Sequence, residues 1–314
     1  MRPPLVVLVG PTGVDKTAAA VRLAAMLPIE AVSADSRQIY RGMDIGTGKP
    51  SREEQAALAH HLIDVVDPDE RYHAARFRSE ALAVIEGIRG RGRLPVVVGG
   101  TGLYVRALLK GLRAAPAADP ALREELHAFA AARGGGALHD RLAALDVAAA
   151  ERLHPNDRVR IVRAIEVSMR GVAGARAAGT GDWTEGAGSW RLLMVGLRQS
   201  REALRARLAD RVRAMFARGM LDEVARLVAA GYGESLPAMD GIGYRQCGAV
   251  LRGNLAVEEA LRLMIRDTVR YAKRQMTWFA RDAEIRWIDA DAVRGPDEVA
   301  ERIAKQVVQE GLVE

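Results

Sequence analysis

Leu5 to Val9 are five aliphatic residues in a row, followed by a glycine-bearing turn and a run of small and apolar residues from Thr17 to Leu27. The first stretch predicts a strand covered on both faces, the second a helix. Pro28 to Asp35 predicts a second short strand, and a polar helix then leads to His60-His-Leu-Ile-Asp. Phe77 to Arg89 sets Phe77, Ala81, Leu82, Val84, Ile85 and Ile88 at helical spacing, the apolar stripe of a crossover helix. Leu94 to Val98 is a third buried strand that runs into another glycine loop with Thr101 at its tip. Strand, helix, strand, helix, strand in that order predicts an α/β fold with a parallel sheet between two helix layers.

The pattern changes at Ala114. Residues 114–120 are rich in Ala and Pro and predict a linker. From Ala121 to about Arg170 only helical patterns follow, broken by Gly134-Gly-Gly and His154-Pro-Asn-Asp, and the Gly-, Ala- and Thr-rich stretch 171–188 predicts a mobile loop. This is a helical insert, which divides the chain into core 1–114, all-α insert 115–188 and core 189–314. Arg191 to Leu197 returns to strand, Arg201 to Ala230 is helical, Gly241 to Gln246 is a glycine turn, Val257 to about Phe279 is a long helix, and Ile285 to Asp289 predicts an edge strand.

With 314 residues, 49% apolar and 27% charged, the chain is globular and long enough for real cores. No apolar run approaches the roughly 20 residues that span a bilayer, and no leader is visible, so a cytoplasmic protein without membrane attachment is expected. A single cysteine, Cys247, excludes an internal disulfide framework and reads as a small packing residue. Net charge is +6, yet residues 191–281 hold 17 Lys and Arg against 9 Asp and Glu, a local +8. The basic excess therefore lies in the second half and suits a polyanion such as RNA, although a solvated Arg-rich face is the plainer alternative.

Gly10, Lys16 and Thr17 fit the phosphate-loop pattern G-x-x-x-x-G-K-[ST] between a strand and a helix, which predicts a P-loop NTPase-like core. Loop amides and a helix N-terminus cradle an anion, Lys16 adds a point charge, and the Thr17 hydroxyl is placed for Mg2+. Asp15 stands where the pattern has its second glycine. A carboxylate about 5 Å from a phosphate repels it by roughly 3 kcal/mol at an effective dielectric near 20, and an N-cap Asp takes the amides that the phosphate needs. Asp nonetheless tolerates unusual backbone angles better than most residues. Asp35 ends the second strand, where open α/β sheets keep their ligands, and reads as magnesium ligand, general base or loop cap. His60 and His61 point to opposite sides of a strand and are poorly arranged to share a metal.

Six segments, Gly10-Pro-Thr-Gly-Val-Asp-Lys-Thr, Ser33 to Pro50, His60-His-Leu-Ile-Asp, Val98-Gly-Gly-Thr-Gly-Leu-Tyr, Gly243-Tyr-Arg-Gln and Lys273-Arg-Gln-Met-Thr-Trp-Phe, occur in the order in which they closely resemble the bacterial tRNA dimethylallyltransferases. The resemblance implies transfer of a dimethylallyl group from its diphosphate to N6 of the adenosine 3′ of the anticodon, in tRNAs reading codons that begin with U. It implies that Gly10, Pro11, Thr12, Gly13, Val14, Asp15, Lys16 and Thr17 hold the diphosphate rather than a nucleoside triphosphate. Thr17 and Asp35 would bind Mg2+, Asp35 would act as base with Thr101 beside the reacting adenine, and Arg211 would clamp the diphosphate. The tRNA anticodon stem-loop would meet Asp35, Ser36, Arg37, Gln38 and Thr101. In the insert it would meet Arg123, Arg160 and Arg163, with Val159 where some relatives carry a polar contact. Gly243, Tyr244 and Arg245 within 240–245, and Lys273, Arg274, Gln275 and Trp278 within 273–280, are the remaining implied contacts. A monomer is expected.

The residue types suit that chemistry. An adenine amine is a poor nucleophile, so a carboxylate taking its proton contributes an expected ~10² to 10⁴. The departing diphosphate needs loop amides, cations and metal, and the target base must leave its stack, which calls for Arg or aromatic surfaces such as Arg274 or Trp278. Trp278 and Phe279 also fit plain packing of a long helix. Two other readings fit part of the pattern: an RNA-binding relative whose catalysis Asp15 impairs, and a kinase or prenyltransferase acting on free nucleotides.

Overall fold

The computed structural model describes residues 2–112, 116, 118–170 and 190–313. The expected mobile stretch 171–188, and residues 114, 115 and 117 of the linker, lie outside them. The chain forms two compact units, Met1–Leu109 with Gly188–Glu314, and Lys110–Ala187.

The first unit opens with β1 (Pro4–Val9), α1 (Lys16–Ala24), β2 (Ile29–Ala34), α2 (Arg52–Ala57), β3 (His60–His61), α3 (Ala74–Gly90), β4 (Leu94–Gly99) and α4 (Gly102–Lys110). The second unit holds α5 (Pro120–Arg133), α6 (Gly135–Leu145), α7 (Val147–Arg152) and α8 (Arg158–Met169). The first unit resumes with β5 (Arg191–Arg198), α9 (Arg201–Ala217), α10 (Met220–Ala229), α11 (Tyr244–Leu251), α12 (Val257–Phe279), β6 (Arg286–Asp289) and α13 (Pro296–Gln309).

Six parallel strands lie in the order β3-β2-β4-β1-β5-β6. The apolar run of β1 is central because it needs cover on both faces: Val6 and Leu8 enter a core with α1 and α13, while Leu5, Val7 and Val9 enter the core under α3 and α4. All five are fully buried, each stabilising the fold by about 1.5–3 kcal/mol. Ile285 to Asp289 supplies the expected edge strand as β6. The register pairs Val9 with both Gly99 and Gly196, so the loops after β1, β2 and β4 emerge together at the carboxyl edge of the sheet.

The stretch Arg201 to Ala230, expected to be helical, forms two helices. Gly219 takes a left-handed φ of 92° between the end of α9 and the start of α10. A third core, built on Ile39, Met43, Met220, Val224, Tyr244 and Met264, packs α10 to α12 around the loop after β2. The helical unit has its own core of Leu126, Leu138, Leu142, Ile161 and Ile165, and the Gly134 break falls between α5 and α6, with φ 85° at that residue.

Candidate functional site

The loop from Gly10 to Lys16 carries three positions with positive φ. Gly10 has φ 146°, and a side chain there would run into the Leu197 carbonyl of β5. Gly13 has φ 87°, and a Cβ would lie 2.6 Å from Leu208 of α9. Asp15 sits in the left-handed region at φ 57°, ψ 35°, the conformation for which glycine is the usual choice. Contrary to the N-cap expectation, its side chain makes no cap bond to the helix amides; instead it pairs with Arg207 of α9. Lys16 donates from Nζ to the Pro11 carbonyl at 2.7 Å. Burial pushes its pKa down to about 8, against the upward pull of Asp35 and Asp15 and with a further downward push from Arg211.

Two neighbouring loops complete the pocket floor. Asp35 Oδ1 accepts from the amides of Arg37 at 2.8 Å and Gln38 at 3.3 Å. This is the loop cap considered from the sequence, and it leaves Oδ2 without a hydrogen bond among the described residues. Thr101 Oγ1 accepts from the Ser36 amide at 3.0 Å and lies 3.3 Å from Ser36 Oγ. Burial first, then Asp35, pushes the nearby Tyr271 hydroxyl up to about 12, with Arg37 and Thr101 pulling the other way. Gln275 ties loop to loop: its Oε1 accepts from the Thr12 amide at 2.9 Å and its Nε2 donates to the Gly100 carbonyl at 2.9 Å.

The loop at 43–49 is held from below by Glu223 of α10, a buried carboxylate that accepts from the amides of Asp44, Ile45 and Gly46 at 3.0, 2.7 and 3.2 Å. The Tyr244 hydroxyl donates to the same group at 2.7 Å. Lys49 Nζ donates to the Tyr40 carbonyl and Asp44 at 2.7 and 2.6 Å and pairs with Asp64. Four amide and hydroxyl donors on one carboxylate offset its desolvation.

These elements enclose a cavity of about 880 Å³ lined by Thr12, Gly13, Asp15, Lys16 and Thr17 of the phosphate loop and Asp35 to Gln38 of the second loop. Gly46 to Ser51, Arg211 and Arg218 of the α9 side, and Arg266, Arg270, Tyr271, Arg274 and Gln275 of α12 complete the lining. Arg211 lies over Gly48; burial and Arg218 lower its pKa, with Asp15 and Asp35 opposing. Arg266, Arg270 and Arg274 recur every four residues on α12 and so share one face. Arg274 stacks 5.7 Å over Tyr271.

Of the residues expected from the sequence, Thr12, Gly13, Asp15, Lys16, Thr17, Asp35, Ser36, Arg37, Gln38, Tyr244, Arg245, Arg211, Arg274 and Gln275 line this one cavity. Gly10, Pro11, Val14 and Thr101 are not among the lining residues; the first three are buried, with Val14 in the core beside α1. Several side chains are committed within the protein. Arg37 donates to the Pro237 carbonyl at 2.8 Å, Arg245 to Asp267 at 2.7 Å, and Gln275 is 6% exposed. Gly243 makes its turn at φ 94° with Met220 and Met264 at 2.9 Å from a hypothetical Cβ. Lys273 is exposed; Trp278 is half-exposed and covers Gly102, while Phe279 is core. In the helical unit, Arg123 and Arg163 converge on the buried Glu166 at 2.7 and 3.0 Å. Arg160 pairs with Asp157 at 2.5 Å, and Val159 is 80% exposed beside it.

Glu223, Tyr271, Arg207 and Lys49 were not anticipated as parts of the site. The arginine spacing on α12 was visible in the sequence; Glu223 carries no local signal, since the loop amides that it accepts from are 177 to 179 residues away.

Thr17 and Asp35 present hard oxygen donors in one cavity, while no group of three His, Cys, Asp or Glu suited to a metal occurs among the described residues. That donor set fits magnesium, which takes few protein ligands and completes its shell from water and substrate phosphate. His60 and His61 hold no shared centre: His60 bonds the Leu58 carbonyl at 2.6 Å and His61 the Glu30 carboxylate at 2.7 Å.

A phosphate-loop motif, an acid just after β2 and an arginine-bearing helix, lining one cavity, define an α/β protein with an anion-suited loop beside a basic wall. The chain belongs to the IPP transferase family, whose model matches residues 38–282; a second model, isopentenyl transferase, matches 3–65. It is 50% identical over 292 residues to the tRNA dimethylallyltransferase 1 of Syntrophotalea carbinolica, covering 92% of each chain. It is 46% identical over 308 residues to the tRNA dimethylallyltransferase of Desulforudis audaxviator, covering 98% of this chain and 99% of that one. The fold is similar to the crystal structure of the full-length tRNA isopentenylpyrophosphate transferase from Bacillus halodurans, with TM-score 0.73, 38% identity, and 98% and 97% of the two chains covered.

Proposed function

We propose that the protein transfers the dimethylallyl group of dimethylallyl diphosphate to N6 of the adenosine 3′ of the anticodon, in tRNAs reading codons that begin with U. The observation that carries this reading is that Asp35 lines the same cavity as Lys16, Thr17 and Arg211, next to Ser36, whose amide donates to Thr101 just outside the lining. One side of that cavity suits a diphosphate, the other an amine that must lose a proton. The C–O bond to the diphosphate breaks as the N–C bond to N6 forms, and the N6 proton passes to Asp35 Oδ2. The Arg37 and Gln38 amides fix the carboxylate by its other oxygen. Lys16, Arg211 and the loop amides hold the charge that develops on the leaving diphosphate.

Thr17 and Asp35 are the residues that would hold Mg2+, which supplies charge neutralisation to the diphosphate when bound. Arg266, Arg270 and Arg274 form the wall against which the RNA backbone and the flipped base would lie. Arg123, Arg160 and Arg163 of the helical unit add tRNA contacts, with Arg160 the most open of the three. No helix among the described residues is long and apolar enough to cross a membrane, and the protein works as a cytoplasmic monomer.

Single-turnover transfer of labelled dimethylallyl to unmodified tRNA, with and without magnesium, tests the reading. Transfer to tRNA that is absent with AMP is the expected result. Transfer to AMP at a comparable rate would overturn the tRNA assignment, and silence with folded, tRNA-binding protein would overturn the reaction.

A further inference from the structure

Asp15 is the one position where the phosphate loop departs from its pattern, and the structure shows what becomes of its charge. The residue occupies the left-handed backbone conformation that the loop requires, at φ 57°. Its carboxylate makes no bond to the helix amides, so the first turn of α1 is left for an anion. The partner it does take, Arg207, comes from α9, the helix whose Leu204 and Leu208 pack on Gly13 of the same loop. Arg211 follows four residues later, on the same face of α9, and lines the cavity. Arg207 itself does not line it.

We infer that Arg207 is a positioning residue of the diphosphate subsite: it neutralises Asp15 and ties that carboxylate to α9, so that an acidic residue is tolerated where the loop pattern has glycine. The inference rests on the reading that the loop holds a diphosphate. It assigns Arg211 to the ligand and Arg207 to the loop, and it removes the reason for treating Asp15 as a disabling change.

The test is a four-protein cycle: the protein as it is, Arg207→Gln, Asp15→Gly and the double variant, titrated with inorganic diphosphate by calorimetry at low and high salt. An unneutralised carboxylate near the anion, discounted for a pair that is partly exposed, predicts that Arg207→Gln weakens binding about tenfold at low salt, and less at high salt. In the Asp15→Gly background the same change should alter affinity by no more than about twofold. Arg207→Lys, which keeps the charge, should stay within about threefold of the starting protein and serves if the Gln variant folds poorly.

Equal loss in both backgrounds would overturn the inference and make Arg207 a direct ligand of the anion. No loss in either would overturn it by showing that Asp15 needs no neutraliser. The probe is diphosphate alone, so an intact cycle without prenyl transfer would strike only the proposed reaction. A flat cycle with transfer retained would strike only the pair. Four folded proteins that all ignore diphosphate would sink both.

Discussion

Lys16 gives the diphosphate subsite a pH response whose size follows from its surroundings. Burial lowers its pKa to about 8, with Asp35 and Asp15 pulling the other way. At 1.36 kcal/mol per pH unit, the drop from the ordinary lysine value is about 3 kcal/mol of preference for the neutral amine. The side chain keeps partial exposure into the cavity, which trims this to about 2 kcal/mol. A diphosphate bound beside the ammonium reverses the preference, because the anion favours the charged form. Binding is therefore linked to proton uptake above about pH 8, and affinity for inorganic diphosphate should fall about tenfold per pH unit there. Calorimetry in two buffers of different ionisation heat reads that uptake directly. Lys16→Arg stays charged throughout, and the ratio of the two affinities cancels the titration of diphosphate itself. A ratio that is flat from about pH 7 to 9.5 would refute the reasoning. The stability consequence has the opposite sign. The empty folded protein binds fewer protons at this site than the unfolded chain between about pH 8 and the ordinary lysine range, so stability rises with pH across that window. Lys16→Met should accordingly stabilise the empty protein by about 2 kcal/mol near pH 7 in urea denaturation, and by less near pH 10.

Asp35→Asn should lower the single-turnover transfer rate by ~10² to 10⁴ while tRNA affinity in filter binding stays within about twofold; a rate loss matched by lost tRNA affinity would remove the proposed base. Glu223→Ala leaves three loop amides and the Tyr244 hydroxyl without their acceptor, and should destabilise by about 3 kcal/mol or more in chemical denaturation. In the helical unit, Arg123→Ala strips the buried Glu166 of one of two guanidinium partners and should cost about 2–3 kcal/mol of stability. Arg160→Ala should leave the melting temperature unchanged and reduce the salt slope of tRNA binding by about 1. Burial would raise the Glu166 carboxyl, but Arg123, the Asp119 amide and Arg163 outweigh it and hold the group at about 2. Its contribution is thus complete above the ordinary glutamate range and is lost as pH falls from there toward about 2, which acid unfolding of Arg123→Ala against the parent should expose as a smaller pH dependence.

The sheet was legible because its signal is local. A run such as Leu5 to Val9 admits few structures, and glycines at strand ends mark where the chain must turn within contact of a neighbour, as Gly10 does against Leu197. The same locality explains the phosphate loop, Asp35 and Thr101, each of which sits at the end of its own strand and is read from its immediate neighbours. The break at Gly219 within the helical stretch Arg201 to Ala230 was not legible, because a lone glycine inside a helical pattern looks the same whether the helix tolerates it or ends there; only the packing of Met220 and Val224 into the core around Tyr244 decides the matter.

What stayed hidden was the part of the site made by long-range partners. Glu223 reads as one more acid on an amphipathic helix, and nothing nearby says that it anchors the loop at 44–46. Arg207 reads as one of many arginines on α9, and its role exists only because Asp15 lies across the loop from it. The Asp15 case also shows how a local rule misleads when two of its clauses compete. An Asp before a helix is expected to cap it, but capping needs an extended backbone at that residue, whereas the loop imposes a left-handed one. With the cap geometry unavailable, the carboxylate turns to the nearest cation. The charge repulsion expected of Asp15 is thus answered by a residue 192 positions away, and the loop's competence depends on α9 as much as on its own sequence.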